Sequence, residues 1–364
     1  MSGAGTSDGG EATEWWPELA PVVRETSATR PDFRTVDVHT HLSVPAGTAL
    51  AAPFLKPEHE PRSLYSSPET LRYNREYRAS TRQTGQFEDA EVRLADMELQ
   101  GIDVQVLSVP PTEYFYWLEE DAALAACRLQ HERFAEIVAA HPSRFAAVAN
   151  VPLRHPSLAV EVLREARNVY GFHGFEISAD VVGLELDDPR FDRVWEAAVE
   201  LGMTAIMHPQ GFTHGQRFTD YYLVNVMCMP LASTLAVTRM ILGGVWQRHP
   251  DLQMVVVHGG GYLPFYSART DHAFHVRPEL RKHIDRPPSE YLGHLHFDTN
   301  VFDPQMVRHL VDRFGADRVL MGTDYPFDMG TVDPLGFLEG VGLTDEERRL
   351  VLGGNAERLL RLRG

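Results

Sequence analysis

Eight short runs rich in β-branched and apolar residues recur along the chain, and between them the apolar residues shift to helical spacing. The runs are TVDVHTHL (35–42), DVQVLSVP (103–110), RFAAVANVPL (144–153), GFEISAD (174–180), TAIMHP (204–209), MVVVHGG (254–260), HLHFDTN (294–300) and VLMGTDYP (319–326). Segments 119–141, 157–170, 190–202, 231–249, 263–275, 304–314 and 344–352 carry the period near 3.6 residues. Strands separated by helices pair in parallel through crossovers, and a count of eight suits a closed barrel better than an open sheet. The predicted fold is therefore α/β, a (β/α)8 TIM barrel occupying residues 35–362.

Two stretches fall outside that alternation. Residues 1–34 read as an N-terminal tail of small and acidic residues and prolines, with the pair Trp15-Trp16, whose indoles are costly to leave exposed. Residues 43–90, directly after the first run, are too long for a turn and mix Pro, Tyr, Arg and Glu, which predicts a cap insertion over the barrel mouth. Thirty-four Lys and Arg against 51 Asp and Glu leave a net charge of −17, which disfavours nucleic acid and an anionic membrane as partners. A few local arginines or a bound cation can still hold an acidic substrate. No uninterrupted apolar stretch is read as reaching the roughly 20 residues of a membrane span. Two cysteines, Cys127 and Cys228, make no disulfide framework, and the N-terminus lacks the pattern of a signal peptide, so the expected compartment is the cytoplasm.

In a barrel of this kind, chemistry collects where strands end and the following loops begin. The first run ends in His39 and His41, the fifth in His208, the sixth in His258 and the eighth in Asp324. Alternate residues of a strand share a face, so His39 and His41 project together; alone, such a pair serves equally well as two satisfied histidines. Joined by His208 and Asp324 they make a ligand set for one divalent ion, with Zn²⁺ preferred and Mn²⁺ the alternative. His258 is then best kept off the ligand list, as a general base beside water activated by the ion. Asp324 can both ligate and shuttle a proton. Gly259-Gly260-Gly261 either brings backbone close to a ligand or makes a turn that needs small residues. Phe327 either packs on a planar substrate or belongs to the core.

With these residues in place, the chain resembles the amidohydrolase superfamily, in the decarboxylase branch typified by aminocarboxymuconate semialdehyde decarboxylase. The matching stretches are VDVHTHL, MELQGIDVQVLS, TAIMHP, GQRF, the long run from MPLASTLAV to VVVHGGGYLPF, RPPSEYLG and RVLMGTDYPFDMG. The resemblance implies a mononuclear site on His39, His41, His208 and Asp324, with His258 as the acid/base histidine. It also implies that Arg269 reaches the active site of a neighbouring subunit and pairs there with a substrate carboxylate, so that a homodimer is the catalytic unit. A second arginine is implied in the cap, at Arg78 or Arg82, with Arg78 preferred. The chain departs from the pattern in carrying Gln210-Gly211 where an aromatic-acid pair is usual, His214 just before GQRF, and Glu176 where an uncharged amide is usual. Glu176 is expected to pair with an Arg or His inside the barrel, or else to recruit a second ion.

The activity these readings predict is non-oxidative decarboxylation of an aromatic or unsaturated, muconate-like carboxylic acid. The alternative is hydrolysis of an amide, lactone or cyclic imine with the same ligands and base, and a third possibility is a metal-binding module without catalysis.

Overall fold

The computed structural model of the chain describes residues 23–212 and 214–362, the side chains of 81–83 excepted. Trp15, Trp16 and the Arg82 side chain lie outside the described residues. Eight parallel strands follow one another: β1 (Val36–His41), β2 (Val104–Ser108), β3 in two pieces (Phe145–Ala147 and Ala149–Asn150), β4 (Gly174–Ile177), β5 (Thr204–Met207), β6 (Met254–Val256), β7 (Leu295–Asp298) and β8 (Val319–Leu320). The sheet closes on itself, because Val38 N–H donates to Met321 O (3.1 Å), Asp324 N–H to His39 O (2.8 Å) and His41 N–H to Tyr325 O (2.7 Å). Closure removes both sheet edges.

The strands are shorter than the apolar runs that announced them, because each run continues into the loop that carries the polar residues. All strand residues but one, Ala146, are buried. Val36, Val38, Val104, Val106, Val148, Ile206, Val255, Val257 and Leu320 form one apolar cluster drawn from six strands, closed at one end by Ala356, Leu359 and Leu360. Residues from so many walls touch only in the barrel interior. The intervening positions, such as Leu107, Phe175, Met207, Met254 and Phe297, join the larger cluster against the surrounding helices. A register shift in β1 between Asp37 and Thr40 lets Val36, Val38, His39 and His41 all share the inner surface.

The crossover helices lie close to their expected spans, among them Glu120–Ala140, Pro156–Asn168, Leu263–Val276 and Pro304–Phe314. Two differ. Segment 231–249 begins earlier, as Leu223–Val226 and Cys228–Leu242, and Gly243-Gly244 separates it from Val245–Arg248. Contrary to the sequence reading, Leu223–Leu242 is long and apolar enough to cross a membrane by length and composition. Half of it is buried inside the fold, where Cys228, Ala232, Ala236 and Met240 pack into the core, while Val226, Met227 and Leu235 are exposed. Segment 344–352 divides into Asp345–Arg349, a π turn over 350–354, and Asn355–Leu360.

Residues 43–89 fold as short helices over the end of the barrel where the strands terminate. Pro68–Ala79 starts at the Ser67 cap, whose hydroxyl accepts from Thr70 N–H. The segment is tied down by Tyr77 Oη donating to Pro326 O (3.0 Å), Gln210 Nε2 to His59 O (3.2 Å) and Arg62 Nη2 to Tyr222 Oη (3.0 Å). Ala90–Gln100 then leads back to β2, capped by Asp89 and ended by Gly101 at φ +72°.

Candidate active site

His39, His41, His208 and Asp324, separated by up to 285 positions in the chain, meet at the strand ends. One ligand atom from each lies within 4.8 Å of the other three. Asp324 Oδ1 is 3.2 Å from His41 Nε2, 3.4 Å from His39 Nε2 and 3.9 Å from His208 Nε2. Ligands bonded at about 2.1 Å to a shared ion stand roughly 3–4 Å apart, a spacing that the three distances from Asp324 match. All four atoms are buried and have no hydrogen-bond partner among the described residues. Groups of this kind are costly unless something satisfies them.

The other nitrogen of each imidazole is fixed. His39 Nδ1 faces Asp298 Oδ2 at 2.6 Å, His41 Nδ1 faces Val109 O at 2.9 Å, and His208 Nδ1 faces Pro209 O at 3.0 Å. Acceptors at Nδ1 hold a proton there, so that the three Nε2 atoms are the ones turned toward a common point. Asp298 was missed in the sequence reading, although it ends the seventh run just as the ligands end theirs. Its carboxylate also accepts from Gly259 N–H (2.8 Å), so it joins β7 to both His39 and the turn after β6.

Burial by itself would lower the pKa of His39, but Asp324 and Asp298 outweigh it and raise the value to about 10. Burial holds His41 below its ordinary value and His208 well below. Burial acts to raise Asp324, yet the surrounding imidazoles keep it well below the usual carboxylate range. A cation entering the cluster must therefore displace a proton from His39. Metal titrated into chelator-treated protein between pH 7 and 9 is expected to bind at one ion per chain and release about one proton, with affinity rising toward pH 10. Calorimetry in buffers of different ionisation enthalpy checks both numbers.

His258 stands at the rim. Its Nε2 is 3.7 Å from Asp324 Oδ2, its ring centre is 4.9 Å from that of His208, and its side chain, at 18 % exposed, is the most accessible of the five. Both His258 (φ +55°) and Asp324 (φ +64°) adopt the left-handed region that L side chains avoid, and such strain concentrates at functional sites. The Gly259–Gly261 run serves the turn: all three have positive φ, and a Cβ would meet Val301, Phe297 or Pro230 at 2.3–2.5 Å. Gly322 lets β8 pass the site, since a Cβ there would meet Asp298 and His39 at 2.9 Å.

Glu176 lies inside the barrel but outside the four-residue cluster. It accepts from Ser108 Oγ at 3.1 Å, and burial raises its pKa to about 8 against the opposing pull of the His39 charge. Above the cluster, Phe327 sits edge-on to His41 with ring centres 5.2 Å apart. It lines a cavity of about 590 Å³ beneath the cap, together with Arg62, Arg78, Glu113 and Asp328. The Arg78 guanidinium lies over Phe87 (4.5 Å), one ring further out. Arg62, which no sequence pattern singled out, lies over Phe327 itself (5.4 Å), and its buried Nε has no partner among the described residues. Arg269 is exposed on helix Leu263–Val276 and lines neither this cavity nor the one beside His258. His214 is likewise exposed.

Arg93 supports the cluster from behind. Fully buried, it donates to His41 O (2.7 Å), Thr40 Oγ1 (2.9 Å), Gln86 O (3.0 Å) and Gln105 Oε1 (3.1 Å), and its guanidinium covers the Tyr325 ring.

Comparison with known proteins agrees with this geometry. The amidohydrolase family pattern matches residues 36–362. A 2-amino-3-carboxymuconate-6-semialdehyde decarboxylase from Dictyostelium discoideum is 33 % identical over 276 residues, 75 % of this chain and 77 % of that one. A gamma-resorcylate decarboxylase from a Rhizobium strain is 26 % identical over 75 % of this chain and 88 % of its own length. The crystal structure of 5-carboxyvanillate decarboxylase from Sphingomonas paucimobilis superposes with a TM-score of 0.80 at 23 % identity, covering 91 % of this chain and 99 % of that one. Fold, ligand set and sequence together place the chain in the amidohydrolase family, in the branch of the aminocarboxymuconate semialdehyde decarboxylases.

Proposed function

We propose that the chain is a metal-dependent, non-oxidative decarboxylase of an aromatic or unsaturated carboxylic acid, with residues 35–362 as the catalytic unit and 43–90 as its cap. The observation that carries this reading is the convergence of four partnerless ligand atoms beside an accessible fifth group, His258. A divalent ion held by His39, His41, His208 and Asp324 would supply Lewis-acid stabilisation of negative charge on substrate oxygens. Zinc is the ion we favour and manganese the alternative; a solved 5-carboxyvanillate decarboxylase from Novosphingobium aromaticivorans holds manganese together with a nitrobenzoic acid.

The residues of the chain divide the remaining work. Arg62, with Arg78 behind it, holds a carboxylate by the fork of its guanidinium, and Phe327 provides a flat wall next to His41. His258 Nε2 delivers a proton to the carbon that bears the carboxylate, and Asp324 Oδ2, 3.7 Å away, relays it. The carbon–carbon bond then breaks, its electron pair stays with the substrate, and CO₂ leaves; the net change is one proton taken up. Carboxylated phenols, anthranilates and muconates offered to metal-loaded protein test the reading by CO₂ release. A ring-opened acid without CO₂ would establish the hydrolase alternative, and no turnover would leave a metal-binding module. Arg62→Ala is expected to raise KM by about 10- to 100-fold with metal content unchanged, and Arg78→Ala by less, as steady-state kinetics will show.

The same reading includes a homodimer. Phe265 (43 % exposed) and Tyr266 (65 %) stand beside Arg269 on one helix, an apolar face that a second copy would cover while offering Arg269 to the neighbouring substrate. The buried free thiols Cys127 and Cys228 suit a cytoplasmic setting.

A further inference from the structure

Beside His258 lies a second cavity of about 480 Å³, separate from the one beneath the cap. Of the two it is the one that reaches the ligand cluster, because Asp324 and His258 both stand in its wall. Its lining is mostly apolar, but it includes Asn300, which follows β7 by two residues and is 3 % exposed. The backbone N–H of Asn300 donates to Asp298 Oδ1 at 3.3 Å, and its side-chain oxygen accepts from Thr331 Oγ1 at 3.0 Å. Nδ2 is buried and has no hydrogen-bond partner among the described residues. Thr331 holds the carboxamide by its oxygen, so the donors are what it has left to offer.

An enclosed donor without an acceptor is costly, and each such group calls for an explanation. Among the residues lining this cavity, two other buried side-chain polar atoms stand unpaired. One is Asp324 Oδ1, which belongs to the ligand set; the other is His258 Nδ1. An amide donor and the acid/base histidine are thus both left unsatisfied in the one cavity that touches the ligands.

We infer that Asn300 is a substrate-binding residue, whose Nδ2 donates to an acceptor oxygen at or next to the carbon that His258 protonates. That oxygen belongs either to the substrate carboxylate or to a hydroxyl on the adjoining carbon. This rests on the decarboxylase reading and adds a contact to it. Being uncharged, the amide orients an oxygen without needing a counter-charge of its own. Phe265 lies at the exposed rim of the same cavity, whereas Asn300 is enclosed. A second copy covering that rim and bringing its Arg269 would leave the Asn300 contact in place and shield it further from water, which strengthens it.

The test titrates metal-loaded, full-length protein with 2-nitroresorcinol, an inhibitor seen bound to a Polaromonas dihydroxybenzoic acid decarboxylase, and with resorcinol, which lacks the nitro group. Asn300→Ala is expected to weaken 2-nitroresorcinol about 10-fold or more with metal content unchanged. A loss confined to 2-nitroresorcinol places the contact on the carboxylate, for which the nitro group stands in; an equal loss for resorcinol places it on the hydroxyl. Asn300→Asp still accepts from Thr331 but offers no N–H, and it is expected to weaken 2-nitroresorcinol at least as much, which separates a lost donor from a disturbed fold. Affinities unchanged in Asn300→Ala, or undiminished in Asn300→Asp, would overturn the contact, assign Nδ2 to water and leave the decarboxylase reading standing. Failure of 2-nitroresorcinol to bind unsubstituted protein that carries its metal would overturn the decarboxylase reading and the contact with it.

Discussion

Replacing His258 with alanine is expected to lower kcat by about 10³- to 10⁴-fold while the protein keeps one metal ion per chain, because general acid–base transfer is lost and no ligand is. His258 Nε2 faces Asp324 Oδ2 rather than the cluster of three Nε2 atoms and Asp324 Oδ1, and its side chain opens to a cavity. Elemental analysis alongside the rate measurement decides the matter. Loss of the ion together with activity would make His258 a fifth ligand and remove the acid from the mechanism. Retention of activity would transfer the proton to Asp324 alone.

Asp298→Ala is expected to weaken metal binding by about 10- to 100-fold, the usual penalty for removing the partner that orients a ligating histidine. The substitution takes an acceptor from His39 Nδ1 and from Gly259 N–H, so it loosens one ligand and the turn that carries His258. It also removes one of the two carboxylates that raise His39, which brings that imidazole down from about 10 toward its ordinary range. Proton release on metal binding near pH 8 is then expected to shrink. That second readout separates an orienting role from simple destabilisation, which would leave proton release unchanged in the protein that remains folded.

The barrel was legible because each strand is a compact apolar run and each crossover carries a helical period; neither signal needs tertiary information. The ligands were legible for the same reason, as polar residues closing runs that would otherwise be featureless. Asp298 obeys that rule too, since it closes the apolar part of the seventh run. Arg62 obeys no rule: it lies in a cap of short helices without sustained periodicity, and its proximity to Phe327 depends on how that cap folds back. The left-handed backbone at His258 and Asp324 had no sequence signal either, since neither position is glycine. Glu176 meets a hydroxyl on β2 as well as the charge of His39, and the hydroxyl had no signal in the sequence.

The hydrogen bonds of Arg93 constrain how substrate gets in. One guanidinium nitrogen holds both the carbonyl of His41, a ligand residue, and that of Gln86, at the root of the cap. A roof swinging open about that root would take the Gln86 carbonyl from a buried cation, a loss of about 1.5–3 kcal/mol, or else drag the first ligand strand with it. The cap therefore behaves as a fixed ceiling rather than a hinged door.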